Sequence, residues 1–377
     1  MRIIVSGGGT GGHIYPAITL INEIKRREPE AEFLYVGTAT GLEADIIPKE
    51  NIPFSTVDIQ GFERHLTPVN LWRAAKAGIG TLEAMNIVRK FSPDVAVGTG
   101  GYVCGPILLA SSLLGIPTLI QEQNAVAGIT NKLLGKFATR VAAGTAEAVK
   151  SFPAAKTVYT GNPIRHEVME ATREQGLKEL GLKSDRLTVL VSGGSRGARS
   201  LNNAMIEVID KYAGNDRVQI LHVTGSLGYE DVIGKLESRG IDHENFSNIS
   251  VAPYLYNMPM ALAAADLAVF RAGAIGIAEL TARGIPAILV PYPYAAENHQ
   301  EHNALAVVKA GGGRMILDRD LTGARLIEVM EELLSGEKKL KQMARASRRL
   351  GKPRAAKDIA DIVMSIAGRQ RSAGHFE

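Results

Sequence analysis

The sequence predicts an α/β protein made of two doubly wound parallel-sheet domains. Apolar, β-branched runs alternate with helical patterns from end to end, the signature of parallel α/β units. These runs fall into two sets of six, each opening on a glycine-rich turn, and 377 residues suit two domains. In the first set strands are expected at 2–6, 32–36, 54–59, 95–98, 117–121 and 140–143. The first enters Gly7-Gly8-Gly9, the second stops at Gly37-Thr38, the fourth runs into Gly98-Thr99-Gly100-Gly101-Tyr102, and the fifth delivers Glu122-Gln123-Asn124. In the second set strands are expected at 187–192, 219–224, 249–253, 267–270, 287–291 and 314–317, with helices filling most gaps. The turn Gly161-Asn162-Pro163 ends the first set, giving domains 1–163 and 164–345, with 346–377 crossing back to the first. Both sheets are expected to turn their strand C-termini toward one cleft, where open α/β sheets bind ligands.

Composition narrows the class. Apolar residues make up 45% and charged residues 22%, ordinary for a globular protein. The single cysteine, Cys104, excludes an internal disulfide or a cysteine-built zinc cluster and fits a reducing compartment. The start MRIIVSGGGTGG does not read as a signal peptide. No residue from 95 to 121 is charged, but five glycines and two prolines break that stretch, so it reads as strand, loop, short helix and strand, not a membrane span. Net charge is +4, and 338–357 holds nine basic residues and no acidic one. That run reads as a solvated helix face, with nucleic-acid binding as the competing class.

Two loops carry phosphate chemistry. Gly7, Gly9 and Gly12 satisfy G-x-G-x-x-G between a strand and a helix, where backbone N–H groups meet an anion. The second strand ends Leu34-Tyr35-Val36-Gly37-Thr38 without the acid that would hold a nicotinamide ribose, so a dinucleotide oxidoreductase is disfavoured. The loop Ser192-Gly193-Gly194-Ser195-Arg196-Gly197-Ala198 repeats the arrangement in the second half. A Walker motif is absent, and Asp318-Arg319-Asp320 reads as an acidic helix start. His13 closes the first loop and is placed to take a proton near neutral pH. Arg271 to Glu279 combines small residues with a carboxylate suited to a ribose diol, and 291–304 is a polar cluster suited to a sugar.

Taken together and in order, these pieces resemble the MurG family, bacterial peptidoglycan N-acetylglucosaminyltransferases of the GT-B fold. The matching segments are Gly8-Gly9-Thr10-Gly11-Gly12-His13-Ile14-Tyr15-Pro16, Gly100-Gly101-Tyr102-Val103, Glu122-Gln123-Asn124 with Thr130-Asn131-Lys132, and Gly161-Asn162-Pro163-Ile164-Arg165. In the second half they are 193–198, 271–279, and His299-Gln300 with Asn303-Ala304. The resemblance implies UDP-N-acetylglucosamine on the second domain. Glu279 would hold the ribose, Ser195 and Arg165 the diphosphate, and Gln300 the sugar hydroxyls. The main chain near Tyr254 and Leu255 would read uracil, and Ala274 and Ile275 would lie against the donor. It implies a lipid-linked muramyl-pentapeptide acceptor at the first-domain loop, by Thr10, Gly11, Gly12, His13 and Asn124. Gly276, Ala272 and His299 depart from residues found in some members.

The expected step is inverting: the muramyl 4-hydroxyl attacks C1 and UDP leaves. His13 is the expected base, Glu122 the runner-up, and Asn124 an orienting group. No cofactor or metal is called for. The segment 68–90 reads as an amphipathic helix with Leu71, Ala75, Ile79, Leu82 and Met85 on one face and Trp72 at its edge. Arg64, Arg73, Lys76, Arg89 and Lys90, with Lys132, Lys136 and Arg140, would make a patch for an anionic membrane surface, placing the protein peripherally on the cytoplasmic side. The alternatives are another nucleotide-sugar enzyme of this fold, such as a glycolipid synthase or an epimerase, and a nucleic-acid-binding protein. The second leaves both glycine loops unexplained.

Overall fold

Short β-branched runs become the inner strands here because these are buried on both faces, as parallel sheets require. The structure, a computed structural model, describes residues 1–59, 68–194 and 197–373, and of 68–79 and 369–373 the backbone alone. The chain divides into two compact units, Met1–Ile164 together with the segment from Arg354 onward, and Arg165–Pro353.

Unit 1 holds strands β1 (Arg2–Ser6), β2 (Glu32–Gly37), β3 (Phe54–Thr56), β4 (Val95–Gly98), β5 (Thr118–Glu122), β6 (Arg140–Ala143) and β7 (Thr157–Tyr159), in the order β3-β2-β1-β4-β5-β6-β7. All pairs are parallel, with Ile4 opposite Leu34 on one side and Ala96 on the other. Alternate residues point to opposite faces. Ile3 and Val5 pack with Ile14, Ile18 and Ile21 of helix Gly11–Arg27 and with Ile359, Val363 and Ile366 of helix Ala355–Ala373. Ile4 and Ala96 pack with Ala84 and Val88 of helix Pro68–Phe91 and with Ile107 and Leu108 of helix Cys104–Leu113. Each buried isoleucine, leucine or valine among these stabilises by about 1.5–3 kcal/mol. That burial, with the Arg27–Asp361 ion pair at 2.5 Å, seats the C-terminal helix on unit 1. Helix Glu337–Leu350 runs unbroken through residue 346 within unit 2, and the return to unit 1 starts at Arg354.

Strand β7 is a seventh member that the apolar pattern does not reveal. It is three residues long on the sheet edge, with Val158 44% and Tyr159 38% exposed, so it has no buried run to show. Helix Pro68–Phe91 also differs from the expected pattern: Ala84 and Val88 are buried while Leu82 stands 62% exposed. The side chains of Leu71, Trp72, Arg73, Ala75, Lys76 and Ile79, and Arg64 altogether, lie outside the described residues. Among the described residues no helix is long and apolar enough to cross a membrane.

Unit 2 holds β8 (Leu187–Ser192), β9 (Val218–Val223), β10 (Ile249–Ala252), β11 (Leu267–Arg271), β12 (Ala287–Val290) and β13 (Gly313–Met315), ordered β10-β9-β8-β11-β12-β13 and parallel throughout. Val189 and Val191 face helices Arg199–Tyr212 and Gly323–Leu334, while Leu190 packs with Leu262 and Leu280 on the other face.

A histidine is enclosed in this second unit. His222 on β9 is fully buried, and its Nε2–H donates to Asn202 Oδ1 at 3.2 Å. Burial pulls its pKa down to about 3. The folded protein therefore refuses a proton that the unfolded chain accepts below its ordinary pKa of about 6.5. The stability this neutral histidine contributes is whole above about 6.5 and falls with pH from there toward the folded value, at about 1.4 kcal/mol per pH unit. Urea unfolding at pH 7 and pH 5 should show wild type losing about 2 kcal/mol more than His222→Gln. Equal losses in the two proteins would contradict it.

Candidate active site

In unit 1 the strand C-termini carry the first glycine loop. Helix Gly11–Arg27 starts on Gly11 and Gly12, its N-cap Thr10 makes no side-chain cap, and its first turn has no acidic residue. An uncapped, acid-free N-terminus is what an anion requires. His13 sits in that turn, half-buried, with Nδ1 2.9 Å from the Gly8 carbonyl and 3.4 Å from Thr10 Oγ1. A carbonyl accepts only a hydrogen, so Nδ1 carries the proton in the neutral ring and Nε2 keeps its lone pair. Gly100, at φ 109, makes room for this ring: a Cβ there would lie 3.0 Å from Nε2.

The loop is braced from behind by residues that no motif announces. Glu43, fully buried, accepts from Gly9 N at 3.1 Å, Thr38 N at 3.1 Å and Thr38 Oγ1 at 2.8 Å. Burial alone would raise its pKa, but these hydrogen bonds outweigh it and hold the carboxyl below its ordinary value. Tyr35 donates to Gly7 O at 2.5 Å, and Thr99 Oγ1 donates to His13 O at 2.8 Å. Cys104 lies beneath, donating to Ser6 O at 2.8 Å and Gly100 O at 2.9 Å, and burial pushes its thiol up to about 12.

Glu122 and Asn124 follow β5. Glu122 is buried, with Oε1 accepting from Asn124 N at 2.9 Å and Oε2 from Gly128 N at 3.1 Å and Asn131 Nδ2 at 2.9 Å. A carboxylate so occupied fixes the loop 123–131. Gln121 and Asn162 add a buried amide pair at 2.9 Å, and Asn162 Nδ2 donates to Gln123 O at 3.0 Å. Asn124 itself is half-buried at the loop surface.

In unit 2 the second glycine loop joins β8 to helix Arg199–Tyr212; Ser195 and Arg196 lie outside the described residues. Gly197, at φ 77, packs on the next turn so closely that a Cβ would lie 2.1 Å from Thr224 O. Helix Ala274–Arg283 begins on Ala274 and Ile275, both half-buried, without side-chain cap or acid in its first turn. Six residues in, Glu279 is 7% exposed and accepts from Arg165 Nε at 3.1 Å and Nη2 at 2.9 Å. Burial raises the Glu279 pKa, and the arginine offsets only part of this. The two residues expected at ribose and diphosphate thus touch each other. Leu255 is half-buried between exposed Tyr254 and Tyr256. Gln300 lies in the first turn of helix His299–Lys309, its Oε1 accepting from Tyr292 N at 2.9 Å.

Asp318 is drawn into an inner brace. Its Oδ1 takes Arg271 Nη1 and Ser200 Oγ, each at 2.5 Å, and Arg271 Nη2 reaches Ser200 Oγ at 2.8 Å. Among the described residues no group of three or more His, Cys, Asp or Glu is gathered as a metal site would be.

Comparisons with known proteins agree over nearly the whole chain. The N-terminal domain model of glycosyltransferase family 28 matches residues 3–143 and the C-terminal domain model residues 188–361. A protein of Desulforamulus reducens named UDP-N-acetylglucosamine–N-acetylmuramyl-(pentapeptide) pyrophosphoryl-undecaprenol N-acetylglucosamine transferase is 48% identical over 98% of this chain and 100% of its own. The protein of the same name from Moorella thermoacetica is 46% identical over 97% and 98%. The crystal structure of Acinetobacter baumannii MurG superposes with a TM-score of 0.77 at 28% identity, covering 97% of this chain and 99% of that one. A UDP-GlcNAc 2-epimerase from Neisseria meningitidis, at 14% identity and TM-score 0.63, shares the fold.

Proposed function

This chain belongs to the MurG group of glycosyltransferase family 28, and from that premise we propose that it moves N-acetylglucosamine from UDP-N-acetylglucosamine onto the 4-hydroxyl of a lipid-linked muramyl-pentapeptide in peptidoglycan synthesis. The observation that carries the reading is the pairing of Arg165 with Glu279 on helix Ala274–Arg283, whose start is uncapped, an arrangement suited to a uridine diphosphate. Glu279 accepts the ribose hydroxyls, and Arg165 swings from the carboxylate to the diphosphate. The backbone near Leu255 reads uracil, Ala274 and Ile275 lie along the phosphates with Ser195, and Gln300 takes the sugar hydroxyls. Charge developing on the departing diphosphate meets Arg165 and preorganised N–H groups, the kind of contribution that is commonly largest.

Unit 1 takes the acceptor. Its diphosphate lies on the N–H groups of Gly11 and Gly12 with Thr10, and Asn124 orients the sugar. His13 Nε2 takes the 4-hydroxyl proton as that oxygen attacks C1, inverting the α-linkage to β. Glu122 is the poorer base because three donors already occupy its oxygens. Incubating the chain with labelled UDP-N-acetylglucosamine and a lipid-linked muramyl-pentapeptide tests the reading: a disaccharide-lipid product and UDP should form in equal amounts, and release of UDP without that product would oppose it.

The acceptor's lipid calls for peripheral docking on the cytoplasmic face of the inner membrane. Supporting this, Ile129, Leu133 and Phe137 recur every fourth residue and are 66%, 58% and 64% exposed, with Lys132 and Lys136 interleaved. Such apolar exposure beside basic charge suits an anionic bilayer surface. The double variant Leu133→Glu/Phe137→Glu should no longer sediment with anionic liposomes, while the wild type binds and is released by salt. Unchanged sedimentation of the variant would remove this surface from the proposal.

A further inference from the structure

Two tyrosines in unit 2 are held out toward solvent in a way that a mere surface loop does not explain. Strand β12 ends at Val290, and the segment after it carries Tyr292 and Tyr294, 45% and 80% exposed. Their rings meet edge to face, 5.6 Å apart at 71°. The Arg271 guanidinium lies 5.7 Å from the Tyr292 ring centre, and the Tyr292 N–H is fastened to Gln300 Oε1. Tyr292 is thus fixed from two sides, and Tyr294 stands edge-on against it with most of its surface in water. The same hydrogen bond sets the Gln300 amide, because its oxygen is engaged inward and its NH2 is left as the donor for a ligand.

A pyranose ring needs both halves of this arrangement. Its equatorial hydroxyls ask for hydrogen-bonding groups, and its axial C–H groups form an apolar face that lies well against an aromatic ring. We infer that Tyr292 and Tyr294 form an aromatic wall against which the transferred hexosamine packs, next to the Gln300 amide that reads its hydroxyls. This rests on the donor site of the preceding subsection and adds to it a subsite for the sugar.

Calorimetric titration of the full chain with UDP and, separately, with UDP-N-acetylglucosamine tests it. Tyr294→Ala should bind UDP as the wild type does and bind UDP-N-acetylglucosamine about 2- to 10-fold more weakly, the range an aromatic contact supplies. Tyr294→Phe should restore the affinity, since the ring and not the hydroxyl makes the wall. Unchanged UDP binding also shows that the variant is folded. Equal affinity of Tyr294→Ala and wild type for UDP-N-acetylglucosamine overturns the inference while leaving the donor site standing, as does an equal loss for both ligands. A wild-type chain that binds neither ligand overturns the donor site and the sugar wall together.

Discussion

His13→Ala should lower kcat by about 10²–10⁴-fold, the usual contribution of a positioned base, while UDP-N-acetylglucosamine binds as before. The expectation comes from the ring's setting. The Gly8 carbonyl holds the proton on Nδ1, and Thr99 grips the His13 carbonyl, so the imidazole is fixed with its lone pair on Nε2. Donor affinity should not change, because the nucleotide-sugar cradle is assigned to residues of unit 2. Single-turnover measurement with saturating donor separates chemistry from binding. Turnover within a few-fold of wild type in His13→Ala would remove the histidine from the reaction, and a parallel loss of donor affinity would make its role structural.

Glu279→Ala should weaken UDP binding by about 10- to 100-fold, the worth of losing hydrogen bonds to a charged group. The setting of the carboxylate shows how demanding the position is. The carboxylate is buried, and its pKa is raised by that burial against the pull of Arg165. Ribose hydroxyls donate to the ionised form, so affinity is full above this raised pKa and falls as pH drops through it. The fall should begin above the usual carboxylate range. Glu279→Ala should lack this pH dependence and also leave Arg165 without its partner. Titration calorimetry across that pH range checks both statements; wild-type affinity in the variant would remove Glu279 from the nucleotide site.

Much of the fold is legible in the sequence because its signals are local. A β-branched run ending on glycines, followed by a helix, is contiguous in residues 2–27 and again in 187–212, and both become strand, loop and helix. What supports those loops is not legible. Glu43 reaches Gly9 across 34 residues from a helix five residues long, and Thr99 reaches His13 across 86. Nothing near either residue marks it as a partner, since only the sheet order β2-β1-β4 brings them together. The Arg165–Glu279 contact spans 114 residues and arises from packing within unit 2. Likewise, an apolar stripe on helix Pro68–Phe91 does not say which side faces the core. Exposed Leu82 shares the stripe, while the buried side is drawn by Ala84 and Val88, small enough to approach the sheet.

A crystal structure of the full chain with UDP-N-acetylglucosamine bound would test the assignment of substrates to units most directly. The uridine diphosphate is expected in unit 2, ribose on Glu279, phosphates at Arg165 and the start of helix Ala274–Arg283, and the sugar within reach of Gln300. Density for the nucleotide on the Gly7–Gly12 loop of unit 1, with the Arg165–Glu279 pair undisturbed, would contradict it.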